Sequence, residues 1–173
     1  MKCAVFAGGC FWCMQPPFDQ LDGVVSTEVG YAGGSMLNPT YQQVCAGQSG
    51  HVEAMRVCYD DDKISFADLL DVFWRNIDPT QIDGQFADRG KHYQSVIFYN
   101  DEDERGIAET SKTALQNSGK FDCDIMTVLR PLSSFYLAED YHQKYYQKNH
   151  AHYSAYKEGS GRQKFIEQVW LKK

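Results

Sequence analysis

Cys10 and Cys13 stand in the run Gly8-Gly9-Cys10-Phe11-Trp12-Cys13, where the short apolar stretch Ala4-Val5-Phe6-Ala7 gives way to a helical pattern directed toward Leu21. A sulfur at such a junction meets the free N–H groups and the positive dipole end of the helix, which favour thiolate over thiol. A second cysteine at i+3 shares the helical face and can close a disulfide with the first. The spacing offers a thiol nucleophile with a second thiol beside it.

Taken alone, the pair has other readings. CxxC is also half of a zinc site, a redox dithiol of the thioredoxin type, or a structural disulfide. No second CxxC follows, Cys45, Cys58 and Cys123 stand singly, and the His150-Ala151-His152 spacing matches no usual zinc pattern. Neither a metal nor a bound cofactor is expected, and the remaining polar residues must decide the reaction.

Glu53 is the sharpest of these. His51 to Tyr59 alternates as a half-buried strand, with His51, Glu53, Met55 and Val57 on one face and Val52, Ala54, Arg56 and Cys58 on the other. A carboxyl on that face either points to solvent or is buried, and if buried its pKa rises until it can serve as an acid. Tyr41 follows the helix-opening Asn38-Pro39-Thr40, while Asp88 and Tyr93 bracket the loop-to-strand junction Asp88-Arg89-Gly90-Lys91-His92-Tyr93. A thiolate attacker, a carboxylic acid and phenol hydroxyls, walled by Phe11 and Trp12, suit an oxygen that leaves as water. Such an oxygen belongs to a sulfoxide, which must be protonated as its sulfur is attacked.

The elements that position these groups read as follows. Lys2 to Ala7 is a buried strand and Phe11 to Leu21 a helix, with Met14, Phe18 and Leu21 inward and Pro16-Pro17 straining its first turns. Val24 to Tyr31 is a second strand, and Asn38 caps a short helical turn with Pro39 in its first position. Ser65 and Asp68 form a capping box for a helix that buries Phe66, Leu69, Leu70, Phe73 and Trp74. Strand Tyr93 to Tyr99 precedes a helix capped by Asp101 and Glu104, with Ile107, Ala108, Ala114 and Leu115 inward, and then strand Asp124 to Leu129. Ala138 to Lys148 is helical in composition, with Tyr141, Tyr145 and Tyr146 over a core edge. Gly159-Ser160-Gly161 breaks the chain before a last helix with Phe165, Val169 and Trp170 inward. The order β-α-β-β-α-β predicts an α+β, ferredoxin-like split-βαβ two-layer sandwich, extended by C-terminal helices and a long coil tail.

Length and composition agree with one domain over residues 1–173: the 173 residues are 43% hydrophobic and include eleven Tyr, ten Phe and three Trp. A net charge of -6 argues against nucleic acid as a partner. No secretory signal or membrane-spanning stretch is legible, so a cytoplasmic monomer is the expectation, with all six cysteines held as thiols. Cys3, Cys45 and Cys58 then read as small core residues.

With these residues in hand, the chain resembles the A-type methionine sulfoxide reductases, the peptide-methionine (S)-S-oxide reductases, over nearly its whole length. The resemblance rests on Gly9-Cys10-Phe11-Trp12, Gly30-Tyr31-Ala32-Gly33-Gly34, Asn38-Pro39-Thr40-Tyr41, Gly50-His51-Val52-Glu53, Asp78-Pro79-Thr80, Asp88 to Tyr93 and Ala138-Glu139-Asp140-Tyr141-His142-Gln143. It implies that Cys10 attacks the sulfoxide sulfur, Glu53 donates the proton, Tyr41 and Tyr93 hydrogen-bond the oxygen, Asp88 orients the substrate, and Phe11 and Trp12 hold its methyl group. The implied products are methionine, free or in a protein, and a Cys10 sulfenic acid, which condenses with a second thiol to a disulfide that thioredoxin reduces. Many family members have Gly where this chain has Cys13 and take the second thiol from a C-terminal tail. Here the tail after Cys123 contains no cysteine; Cys13, within one helical turn of Cys10, is the expected partner, with Cys123 the main rival, followed by Cys45 and Cys58. The tail also reads Lys148-Asn149-His150 where the family usually continues Asn-Pro.

Overall fold

Alternation along the strand that carries Glu53 is the key to the architecture, because both of its faces are buried, one under helices and one under a smaller apolar layer. The computed structural model describes residues 1–171. Its strands are β1 (Lys2–Ala7), β2 (Val24–Ala32), β3 (Val52–Tyr59), β4 (Gly84–Gln85), β5 (Asp88–Arg89), β6 (Val96–Tyr99), β7 (Val128–Pro131) and β8 (Phe135–Leu137). Its helices are α1 (Phe11–Asp19), α2 (Tyr41–Cys45), α3 (Phe66–Arg75), α4 (Glu102–Asn117), α5 (Tyr145–Lys148), α6 (His150–Ser160) and α7 (Arg162–Ile166). None of the described helices is long and apolar enough to cross a membrane.

Six strands form one sheet in the order β7-β6-β1-β3-β2-β8. β3 lies between β1 and β2 and runs antiparallel to both, and β6 is antiparallel to β1, so the α+β class and the split-βαβ order of the central strands follow the expected succession. The sheet continues beyond that core: β7 adds in parallel to β6, β8 pairs with β2, and β4 and β5 form a separate ribbon. Phe6, Met55 and Val57 pack with Met14 and Phe18 of α1 and with Leu69, Leu70 and Phe73 of α3. Phe6 stacks on Phe18, Phe66 and Phe73 at 5.3–5.9 Å. Truncating Phe73 to alanine would cost about 3–5 kcal/mol by the usual cavity penalty.

Local signals are honoured where they are strong and displaced where tertiary packing competes. Ser65 and Asp68 close both halves of their capping box. Asp101 accepts the Glu104 N–H, but the Glu104 carboxylate turns back to Asn100 instead of to the cap, making half of the expected box. Asn38 is not a cap: it adopts φ +47°, and Thr40 with Gln43 forms the capping box of α2. Ile107 and Ala114 are exposed, so α4 faces the core through Ala108 and Leu115 alone with buried Glu104. The strand expected from Tyr93 starts at Val96, after a 3-10 turn over Lys91–Tyr93, and that expected over Asp124–Leu129 is displaced to Val128–Pro131. The tail helix expected over residues 138–148 is instead a 3-10 turn at Asp140–His142 followed by α5 and α6.

One expectation fails outright. Cys3 and Cys58 are not thiols but a disulfide, because the antiparallel register of β1 and β3 sets them directly opposite, with Cα atoms 4.0 Å apart. Cys10, Cys13, Cys45 and Cys123 are free.

Candidate active site

Gly9 adopts φ +83°, which turns the chain out of β1 and makes Cys10 the N-cap of α1. A Cβ on Gly9 would lie 2.5 Å from the Gln85 side chain, so the bare backbone lets the β4–β5 ribbon sit against the cysteine turn. Gln85 is itself fixed, accepting from the Asp78 N–H and donating to the Asp78 carbonyl. Pro16 and Pro17 lie inside α1, which nevertheless continues to Asp19.

Cys10 and Cys13 are both buried, at 5% and 3% exposure, and share a cluster with Tyr153 and with the flanks of Trp12, Tyr93, Tyr145, Tyr146 and Tyr156. The Cys13 N–H donates to the Cys10 carbonyl at 3.1 Å, the first bond of the helix. Burial pushes the Cys10 thiol up, whereas Cys13, hydrogen-bonded by Cys10, is drawn down to about 7. The helix start therefore does not by itself make Cys10 the thiolate, as its place in the sequence suggested: burial outweighs the dipole there, and the hydrogen bond favours the anion at Cys13.

Glu53 resolves the alternative left open by its strand face: it is 2% exposed, and its Oε2 accepts the Phe11 N–H at 3.0 Å. That bond ties the carboxyl of β3 to the residue after Cys10. Burial raises the Glu53 pKa to about 8 despite the Phe11 hydrogen bond, so the group is protonated at neutral pH. Tyr93, half-buried in the 3-10 turn, has its hydroxyl pKa pushed up by burial and by the nearby Glu53, Tyr41 and Cys10. Tyr41, on α2, is raised for the same first reason, with Glu53 and Cys10 again adding to it. Asp88 on β5 accepts a hydrogen bond from the Tyr156 hydroxyl. The site residues read from the sequence thus converge, and the exposed Cys123 stands outside the cluster.

Several neighbours were not placed in the site from the sequence, although Tyr145 read as a core cover and His142 and Gln143 lie in a motif of the resemblance. Tyr145 lies flat on Trp12, with ring centroids 3.9 Å apart, and Tyr156 meets the same indole edge-on at 6.0 Å. The Trp12 indole N–H donates to Nδ1 of His142 at 3.1 Å, which leaves the neutral imidazole its proton on Nε2, 3.7 Å from Glu139. His142 is buried and also touches Phe11 and Tyr41 at 5.0 and 4.5 Å between ring centroids. Burial lowers its pKa, so the ring stays neutral at pH 7. Gln143 bonds both backbone groups of Val29, and Lys144 bonds Asp19 and Thr27, pinning the tail against β2 and α1. The sequence signals for this packing were the tail tyrosines read over a core edge and the Ala138 to Gln143 motif, neither of which said what they would cover.

The family profile described as "Peptide methionine sulfoxide reductase" matches residues 2–173. The chain belongs to that family. Among curated relatives, the "Peptide methionine sulfoxide reductase MsrA" of Limosilactobacillus reuteri is 51% identical, covering 96% of this chain and 95% of the relative. Among solved structures, the reduced form of Mxr1 from Saccharomyces cerevisiae matches with a TM-score of 0.80 at 33% identity, covering 86% of this chain and 85% of that one. Mxr1 in complex with Trx2 matches at 0.59 and 25% identity, covering 83% and 84%. As a peptide methionine sulfoxide reductase, the chain is a thiol-dependent oxidoreductase.

Proposed function

We propose that the chain reduces methionine-S-sulfoxide, free or within proteins, through a sulfenic acid on Cys10. The observation that carries this reading is the Glu53 carboxyl, buried, protonated at neutral pH and bonded to the N–H beside the nucleophile. The Cys10 thiol gives up its proton to Cys13 and its Sγ bonds to the sulfoxide sulfur as Glu53 passes its proton to the sulfoxide oxygen, with the Tyr41 and Tyr93 hydroxyls donating to that oxygen. The sulfoxide S–O bond then breaks and the oxygen passes to Cys10 Sγ as the new S–S bond breaks, which leaves a sulfenic acid on Cys10 and releases methionine. Phe11 and Trp12 hold the methyl group, and Asp88 orients the substrate. Cys13 then attacks Cys10 Sγ and water is lost, and an external dithiol of the thioredoxin type, the kind of partner named in the Mxr1–Trx2 complex, reduces the resulting disulfide and is itself oxidised to a disulfide.

Residues 1–173 act in this reading as one catalytic unit, a monomer working in the cytoplasm. The pocket's handedness supplies the decisive experiment. A chiral sulfur presents its lone pair, methyl and oxygen in a fixed order, and fixed oxygen donors with a fixed methyl wall align one hand only. Reduced enzyme incubated anaerobically with separated epimers should release about one methionine per enzyme from the S epimer when resolution is blocked, and none from the R epimer. Comparable release from both, or persistence of activity in Cys10→Ser, would refute the assignment.

A further inference from the structure

Arg162 is 2% exposed, although a guanidinium keeps its charge at every accessible pH. Among the described residues no carboxylate lies within 4.0 Å of it. Its donors go to neutral acceptors: the Gly8 carbonyl at 2.9 Å, the Asn76 carbonyl, and Met14 Sδ at 3.5 Å, while its plane rests on Phe86 at 4.8 Å. Gly8 and Met14 bracket Cys10 and Cys13, and a Cβ on Gly9 would come within 3.0 Å of Nη2. A buried cation is therefore held against the positive end of α1, where helix dipole and desolvation both oppose it unless an anion forms there. Of the nearby groups that can become anionic, the Cys13 thiol and the Tyr153 hydroxyl are the ones its charge draws down.

We propose that Arg162 is a positioning residue for thiol exchange: it holds Cys13 as the anionic sulfur of the pair, so that Cys13 attacks oxidised Cys10 and is the sulfur expelled when a dithiol reductant opens the bond between them. The inference rests on the reductase reading above. In the first step Cys13 Sγ⁻ bonds to Cys10 Sγ, the S–OH bond breaks, and hydroxide takes a proton to leave as water. In the second, a reductant thiolate bonds to Cys10 Sγ, the Sγ–Sγ bond breaks, and its electron pair departs on Cys13 beside the guanidinium. The reductant's other thiol then displaces Cys10 and leaves as a disulfide, so two electrons pass from dithiol to enzyme. The other groups facing Cys13 are Cys10 and Glu53 within the site, Asp88 on β5, and Tyr153, Tyr156 and Lys157 on α6. Asp88 opposes the thiolate and Lys157 assists Arg162.

The test follows thiolate ultraviolet absorbance of Cys13 against pH in the Cys10→Ser chain, taken as the difference from Cys10→Ser/Cys13→Ser. Arg162→Met should move the Cys13 midpoint up and cut its thiolate population at neutral pH by roughly tenfold, whereas Arg162→Lys, which keeps the charge, should stay near the unsubstituted midpoint. An unmoved midpoint in Arg162→Met, even with a lower melting temperature, would reduce Arg162 to a structural part and overturn the proposal. Equal shifts in Met and Lys would overturn it too. A second measurement needs no variant of Arg162: oxidised wild type treated with a small thiol should yield its mixed disulfide on Cys10, and an adduct on Cys13 would overturn the assignment. Methionine release from the S epimer by wild type, scored separately, tells failure of this inference from failure of the reductase reading.

Discussion

Tyr145 covers the face of Trp12, their rings 3.9 Å apart and 9° from parallel, so the indole expected to hold the substrate methyl is itself held by the tail. The stacked pair and the bond to His142 fix the indole from two sides. Tyr145→Ala should loosen it and raise KM by about 2- to 10-fold, the equivalent of the 0.5–1.5 kcal/mol typical of an aromatic pair, with a smaller change in kcat. Steady-state kinetics with the S epimer check this; an unchanged KM would mean that Trp12 does not depend on Tyr145 for its position.

Glu53→Gln keeps shape and burial but cannot donate a proton. The first-turnover rate should fall by roughly 10²- to 10⁴-fold, with substrate affinity changed far less. Rapid-quench measurement of methionine formation decides the matter, and a wild-type rate in the variant would assign the acid elsewhere.

The raised pKa of Glu53 also has a sign that stability measurements can read. Between its unfolded value of 4.5 and its folded value of about 8, the native chain binds a proton that the unfolded chain has lost. Its contribution is therefore fully present below 4.5 and is lost as pH rises through about 8. The melting temperature of Glu53→Gln should gain on wild type across that window. Parallel curves would show that Glu53 titrates normally.

Cys13→Ser should still release about one methionine per enzyme, because sulfenic acid formation at Cys10 precedes resolution. Turnover driven by thioredoxin should collapse. Peptide mapping of wild type after a single turnover should find Cys10 joined to Cys13, and a Cys10 linkage to Cys123 would name a different resolving thiol.

The Cys3–Cys58 bond closes a sequence separation of 55 residues between the strands that lead to Cys10 and carry Glu53. Replacing both by serine should lower stability by roughly 4 kcal/mol in the chain-entropy account, read by denaturant unfolding. First-turnover methionine release at 25 °C should persist, since neither sulfur lies in the Cys10 cluster. Loss of that first turnover in a folded variant would instead couple the bond to the chemistry.

What the sequence by itself determined was whatever depends on neighbours a few residues away. Capping of α3 by Ser65 and Asp68, the i, i+3 relation of Cys10 and Cys13, and the parity that puts Glu53 on the face of Met55 and Val57 all follow from local hydrogen bonding and strand alternation. Even the burial of Glu53 was legible only as one of two possibilities, because alternation names a face and not what covers it. The tertiary structure decided the rest. Register between β1 and β3 brings Cys3 to Cys58, which no local pattern records and which ended the expectation of six free thiols. Packing of the tail over α1 places Tyr145 on Trp12, Tyr156 on Asp88 and Arg162 beneath Gly8, contacts between residues 68 to 154 positions apart. Such pairs form because burying aromatic area and satisfying a buried guanidinium stabilise one global arrangement, and those terms are sums over the folded whole rather than over any window of the chain.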